Sequence, residues 1–462
     1  MINYSRRKKW KLTNLEGDLL TTIIKRLFIY TLLIFFILPM ITGVKTASAA
    51  SNDPLNLEAE AAILIDAETG KVLYEKNADK RLGVASMSKM MTEYLVLESI
   101  ADGKIKWDQK VLISEFIHKL SSPNLGLSTV GLTEGEEYTV KELYESMAIH
   151  SANASTVALA ELVAGSEENF VKMMNEKAEE LGLENYYFVN STGLNNSDML
   201  GRHPAGTDEN EENLMSARDT AKLAYHLLKD YPEVLEIASK PELNFRGTVY
   251  KNFNWMLPGL IYEYKGVDGL KTGSTNFAGY GFTATAILDG QRYISVVMKT
   301  PSQAARFTDT RNILNYAKGN FGKTEVVTEN KAIKGNESLA VDKGKENSVK
   351  VAPKNSLDLV IKNGEEENYK AKVVIDKEKL NENGELTAPV KKGDVVGYVT
   401  YEYTGEGEDL GFLYKDKPIK VDLVATEDVE KANWFVLMFR SIGDFLVGLW
   451  DGITSTVAGW FS

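Results

Sequence analysis

Residues 267–300 read VDGLKTGSTNFAGYGFTATAILDGQRYISVVMKT. Two long runs, Gly279–Leu288 and Gln291–Thr300, flank the dipeptide Asp289-Gly290. Asp-Gly between β-branched and aromatic runs is a hairpin signal, because the tight turn needs positive φ. The run from Leu270 onward reads as a sheet edge beside that hairpin, and Ala304–Ala317 follows it with helical spacing. Toward the N-terminus, Ala61–Ile65 and Lys71–Glu75 surround Glu68-Thr69-Gly70 and read as a second hairpin. Helices are predicted between the two hairpins. Ser86–Ile100 carries Met90, Met91, Tyr94, Leu95 and Leu97 near a 3.6-residue period. Thr139 reads as the N-cap of a helix reaching about Ala148, and Ala154–Ala164 and Ser216–Lys229 read as two more. Hairpins separated by helices predict an α+β fold: an antiparallel sheet flanked by helices, with an inserted helical subdomain.

The pattern changes after about residue 320. Short alternating runs, among them Val349–Val351, Leu357–Ile361, Lys372–Ile375, Val395–Tyr401 and Ile419–Val424, are separated by Gly, Asn and Asp turns. They predict a small all-β domain, read as a sandwich over residues 323–428. The tail, residues 429–462, holds Trp434, Phe435, Leu437, Phe439, Phe445, Leu446, Trp450, Trp460 and Phe461. Its few charges, Arg440, Asp444 and Asp451, share one helical stripe. Such a helix lies in a membrane interface rather than crossing it, so residues 432–462 are expected to contact a membrane surface. Docking on the protein's own β domain is the alternative.

The N-terminus joins a basic stretch (Arg6, Arg7, Lys8, Lys9, Lys11, Lys25, Arg26) to the apolar run Leu27–Val44 and then to Ala47-Ser48-Ala49. That order is a secretory signal peptide over residues 1–49, with an uncleaved anchor as the alternative reading. The expected domain that follows spans residues 50–322.

Composition narrows the chemistry. The 462 residues include no cysteine and four histidines, and the net charge is −12. Absence of cysteine excludes disulfides, zinc–thiolate sites, iron–sulfur clusters and Cys nucleophiles. No HExxH pair occurs, so a His-rich metal site is not expected, and no cofactor is expected either. The acidic balance argues against nucleic acid as a partner. Gly319–Thr324 lacks the first glycine of a phosphate-binding loop, Ala317 standing in its place.

Three short motifs occur in order: Ser86-Met87-Ser88-Lys89, Ser151-Ala152-Asn153 and Lys271-Thr272-Gly273. Singly they say little. Ser5–Lys8 is another S-x-x-K, and Ser122-Pro123-Asn124 is another S-x-N. Each residue alone also has an ordinary role as cap, solvated charge or turn. Together they supply what acyl transfer needs. A serine hydroxyl requires an adjacent base. Helical spacing puts Lys89 beside Ser86. A lysine can accept a proton only when neutral, and burial or a second cation such as Lys271 lowers its pKa. Ser151 and Asn153 can relay a proton or bond Lys89. Thr272 and Ser274 can bind a carboxylate, Gly273 allows close approach of substrate, and the Ser86 and Ser274 N–H groups can form an oxyanion hole.

The motif set resembles that of the penicillin-recognising serine enzymes. More closely, the chain resembles the low-molecular-mass penicillin-binding proteins, the D-alanyl-D-alanine carboxypeptidases. The stretches that carry the likeness are Ala61–Tyr74 (AAILIDAETGKVLY), Gly83–Thr92 (GVASMSKMMT), Phe188–Leu194 (FVNSTGL) and Val267–Tyr280 (VDGLKTGSTNFAGY). The resemblance implies a β-lactamase/transpeptidase-like fold, Ser86 as nucleophile and Lys89 as base. It implies Ser151, Asn153 and Lys271 as the remaining catalytic groups, with Thr272, Gly273 and Ser274 binding substrate. It places Arg306 on the substrate carboxylate, with Arg311 as the alternative. Ala152 departs from the glycine often found there, and His150 just before the motif is expected to pack. The implied reaction removes the terminal D-alanine from a peptidoglycan stem pentapeptide, and β-lactams are the implied inhibitors. The implied location is the outer face of a bacterial membrane, of Gram-positive type. Two other readings stay open. A β-lactamase would be shorter and would carry a dedicated deacylating glutamate. A penicillin-binding sensor would acylate without turnover.

Overall fold

The computed structural model describes residues 53–415 and 419–440, together with residues 442, 450 and 454. The expected leader, residues 1–49, and most of the tail beyond residue 440 lie outside the described residues. The chain divides into residues 1–54 and residues 55–462, and the second unit holds every element that follows.

The first hairpin is β1 (Ala61–Asp66) and β2 (Val72–Lys76). A 3-10 turn at Ala85–Ser88 leads into α1 (Lys89–Ala101). Then come α2 (Val140–His150), α3 (Asn153–Ala164), α4 (Glu167–Glu180) and α5 (Ala217–Asp230). The second hairpin region is β3 (Val267–Thr275), β4 (Gly279–Leu288) and β5 (Gln291–Thr300), followed by α6 (Gln303–Asn320). Both hairpins join one five-stranded antiparallel sheet in the order β3-β4-β5-β1-β2, which leaves β3 on the edge as expected.

Alternation along the strands explains the layers. In β1, Ala61, Ile63 and Ile65 face the core made with α1, α2, α3 and α5. Ala62 and Leu64 face the other core, with Phe307, Ile313, Leu314 and Ala317 of α6. The sheet is thus covered on both sides, and every residue of β1 is buried. Thr139 caps α2 through a reciprocal box with Glu142, and Ser216 caps α5 by accepting from the Asp219 N–H.

One expected boundary is corrected. The predicted helix Ser86–Ile100 is two pieces, and Ser86 lies in the 3-10 turn. Ala85 has φ +46°, the Met87 N–H bonds the Val84 carbonyl, and Ser88 Oγ donates to the Ala85 carbonyl at 2.8 Å. These short-range bonds hold the turn out of α-helical register.

The second part opens with β6 (Phe321–Val327), continues through β7 (Ser338–Asp342), β8 (Ser348–Pro353), β9 (Leu357–Lys362), β10 (Tyr369–Ile375), β11 (Leu386–Thr387) and β12 (Val395–Tyr403), and ends with β13 (Val421–Ala425). β6 pairs with β9, and the others form a sheet in the order β10-β12-β13-β8-β7-β11. Val327, Val349, Val351, Leu359, Val399 and Leu423 share one core. The loop after β12 docks on the first hairpin: Val72 N–H bonds the Gly411 carbonyl and Leu413 N–H bonds the Gly70 carbonyl, both at 2.9 Å. Lys71, 2% exposed, reaches across to Asp409 within a cage of Tyr369, Tyr401 and Phe412, whose ring centroids lie 5.1–5.3 Å from its ammonium.

At the tail, residues 434–440 are helical. Asn433 caps them by accepting from Val436 N–H, and Arg440 donates to the Gly344 and Lys345 carbonyls. Trp434, Phe435 and Phe439 stand exposed. No helix among the described residues is long and apolar enough to cross a membrane.

Candidate active site

The three motifs converge where the 3-10 turn, the α2–α3 link and β3 meet. Lys89 is fully buried. Its Nζ lies 2.9 Å from Ser86 Oγ, 2.7 Å from Asn153 Oδ1 and 2.6 Å from the Thr192 carbonyl. Asn153 Nδ2 donates to the Ser128 carbonyl at 3.0 Å, which fixes its Oδ1 toward the lysine. Two of the three neighbours of Nζ are therefore pure acceptors. A neutral amine has two N–H bonds for them, and its lone pair is left facing the Ser86 hydroxyl. Burial takes the Lys89 ammonium well below the ordinary lysine range, and the charge of Lys271 pushes it further down.

Ser151 sits in the link between α2 and α3 with φ +57°, and that sharp turn delivers Asn153 to the first position of α3. The Ser151 hydroxyl is buried with no partner and does not bond Lys89. His150 stacks on Phe253 at 4.7 Å and lies tilted against Tyr250 at 4.8 Å, and its Nδ1 meets the Lys251 carbonyl. It packs as expected.

Lys271 and Thr272 are buried on β3, while Ser274 is exposed. Burial brings the Lys271 ammonium down to about 8. Gly273 passes so close to the nucleophile turn that a Cβ there would stand 2.7 Å from the Val84 carbonyl oxygen and 3.1 Å from Ser86 N. Only glycine permits that approach. Arg306 Nη1 lies 3.4 Å from the Gly273 carbonyl, and its buried Nε has no partner. Arg311 instead bonds the Tyr262 carbonyl, so Arg306 is the arginine at the motif. A groove of about 950 Å³, lined by Ser274, Thr275, Tyr280, Lys299, Glu58 and Glu60, opens at this end of β3.

Sequence reasoning assigned no role to the loop Asn190–Gly193, which supplies the Thr192 carbonyl. Asn190 Oδ1 accepts from the N–H groups of Thr192 and Gly193, and Asn213 ties the loop to Ser88. A Cβ on Gly193, at φ +77°, would fall 2.0 Å from the Ala85 carbonyl oxygen. The stretch FVNSTGL was visible, but a backbone carbonyl has no residue signature. Glu93, buried one turn beyond Lys89, was also passed over.

A covered antiparallel sheet, with Ser86 and the buried Lys89 beside its edge strand, carries the groups that a serine enzyme of acyl transfer needs. Comparison with known proteins gives the particular family. Residues 45–302 match the D-alanyl-D-alanine carboxypeptidase family, peptidase S11, and residues 321–431 match the penicillin-binding protein 5 C-terminal domain. The chain is 35% identical over 390 residues to the D-alanyl-D-alanine carboxypeptidase DacF of Bacillus subtilis, covering 84% of this chain and 90% of that one. It is 31% identical to DacA of Escherichia coli K12, covering 86% and 93%. Among solved structures it is similar to a peptidoglycan synthesis regulatory factor (PBP3) of Streptococcus pneumoniae, with TM-score 0.68, 35% identity and coverage of 81% and 100%. It is also similar to penicillin binding protein 5 of Haemophilus influenzae, with TM-score 0.64, 30% identity and coverage of 81% and 98%. The chain belongs to the D-alanyl-D-alanine carboxypeptidase family of penicillin-binding proteins. It is a serine D-Ala-D-Ala carboxypeptidase, acting on the cell wall outside the cytoplasm.

Proposed function

We propose that the protein removes the terminal D-alanine of peptidoglycan stem pentapeptides through an ester on Ser86. The supporting observation is the Lys89 amine, dehydrated and held by two acceptors with its third neighbour the Ser86 hydroxyl. Lys89 takes the Ser86 proton as Oγ attacks the carbonyl of the penultimate D-alanine. The N–H groups of Ser86 and Ser274 receive the developing oxyanion. Lys271, Thr272, Ser274 and Arg306 hold the terminal carboxylate. Asn153 holds the Lys89 amine, the proton that Lys89 took passes to the D-alanine nitrogen as it leaves, and Lys89 then activates the water that hydrolyses the ester, while the unpartnered Ser151 hydroxyl is left for the substrate. A β-lactam acylates the same serine and leaves slowly.

Residues 1–49 serve as the leader, residues 50–322 as the peptidase domain and residues 323–428 as the β domain. Residues 429–462 hold the enzyme on the outer membrane face. The exposed Trp434, Phe435 and Phe439 support that role for the tail.

Assay of D-alanine release from diacetyl-Lys-D-Ala-D-Ala tests the reading. Release by the native protein and none by Ser86→Ala is the expected result. Penicillin labelling without release would leave a sensor instead.

A further inference from the structure

Helix α1 carries a second buried ionisable side chain. Glu93 follows Lys89 by one helical turn and is 2% exposed. Its carboxylate takes no hydrogen bond from any described residue. The charged groups facing it are Lys89 on its own helix and Lys271 on β3. From α2, the Tyr144 hydroxyl lies within its field, buried and unpartnered. The charge of Arg306 on α6 also bears on Lys271, and that of Lys271 bears on His150 at the end of α2.

A buried carboxylate is costly unless it answers another charge. The proposed chemistry needs a neutral Lys89 and a cationic Lys271. With Glu93 ionised, those three groups sum to zero. Without it, the Lys271 ammonium would be left in a dry site with the Arg306 guanidinium as its neighbour. The Glu93 charge favours the ammonium form of both lysines, while the charge of Lys271 pushes Lys89 the other way. Burial raises the Glu93 carboxyl, and against the pull of the two amines it still stands at about 7, so the charge is present above that pH.

We propose that Glu93 is a positioning residue for this reaction: its buried charge keeps Lys271 an ammonium for the substrate carboxylate while Lys89 is left neutral beside Ser86. The proposal rests on the carboxypeptidase reading of the site. It assigns Glu93 no contact with substrate.

The test is the pH profile of D-alanine release and, in parallel, of penicillin acylation, for native protein, Glu93→Gln, Glu93→Ser and Glu93→Asp. Removing the negative charge makes both amines lose their protons more easily. The alkaline limb of the Glu93→Gln profile should therefore move to lower pH, by about 1 pH unit. KM for the D-Ala-D-Ala peptide should rise at neutral pH by more than kcat falls. Glu93→Asp, which keeps the charge, should restore the limb. Glu93→Ser covers the case in which glutamine does not fold, since its hydroxyl can donate to the carbonyl one turn back, as Ser99 does to Leu95. An alkaline limb that stays in place in the folded charge-removing variants overturns the proposal, even where the rate drops. Native protein that is acylated but releases no D-alanine refutes the carboxypeptidase reading instead, and the acylation profiles then still decide the role of Glu93.

Discussion

In the proposed reaction Lys89 acts as a base because it is dry, and each feature that dries it is a particular residue. Gly193 lets the Thr192 loop close on the Ala85 carbonyl, Asn153 fills the remaining side, and Lys271 adds a second positive charge. These facts fix a pH dependence. As pH falls through the depressed Lys89 value, the amine gains a proton and can no longer accept one from Ser86. As pH rises through about 8, Lys271 loses the charge that attracts the substrate carboxylate. D-alanine release should therefore follow a bell with its alkaline limb near 8. Initial rates across a buffer series check this, and a rate still climbing beyond about pH 9 would contradict the assignment of Lys271. Most of the residues involved were legible in sequence, because S-x-x-K, S-x-N and K-T-G name side chains. The Thr192 carbonyl was not, since any residue offers one. Glu93 belongs to no motif: Met90, Met91, Tyr94 and Leu95 marked the buried face of α1, and a lone glutamate among them has no signature of its own.

Elements were legible where their ends are chemically marked. Asp289-Gly290 set β4 and β5 to the residue, and Thr139 with Glu142 set the start of α2. The start of α1 was not marked: the bonds that hold Ala85–Ser88 as a 3-10 turn have no residue signature, and the Asn190–Gly193 loop and β3 that pack on it are far away in sequence. β6, β7 and β11 were missed for a related reason. They are short or partly exposed, and β6 carries Lys323 and Glu325 among its apolar residues. The loop after β12 makes an element-level prediction. Asp409 is the counter-charge of buried Lys71 and also accepts from the Tyr401 hydroxyl at 2.6 Å. Burial already lowers the Lys71 pKa, and Asp409 opposes that. Asp409→Asn leaves an ammonium enclosed by three rings, and should cost about 3 kcal/mol of stability. A urea midpoint shows it. A midpoint equal to that of the native protein would mean the contact between hairpin and loop holds without the ion pair.

For the whole molecule, the proposed catalytic edge and the proposed membrane contact lie on different elements. The β3 edge and its groove belong to the part built on the five-stranded sheet, whereas the exposed Trp434, Phe435 and Phe439 lie past the β strands. Removing residues 432–462 should abolish sedimentation with liposomes and leave D-alanine release unchanged. Retained sedimentation would place the membrane contact elsewhere. The α+β class, the order of the two hairpins and the change to all-β character near residue 320 could all be read before the structure. The docking of the β12–β13 loop onto the first hairpin could not, because Lys71 and Asp409 are far apart in sequence and each reads as an ordinary surface charge.

The account stands on Ser86 as the atom that is acylated. Penicillin-treated protein, denatured in acid and digested with trypsin, yields a peptide running from Leu82 to Lys89. The account predicts that this peptide alone gains the mass of one penicilloyl group, and that Ser86→Ala gains none. The adduct on any other peptide, or an unmodified Leu82–Lys89 peptide after full inhibition, would contradict it.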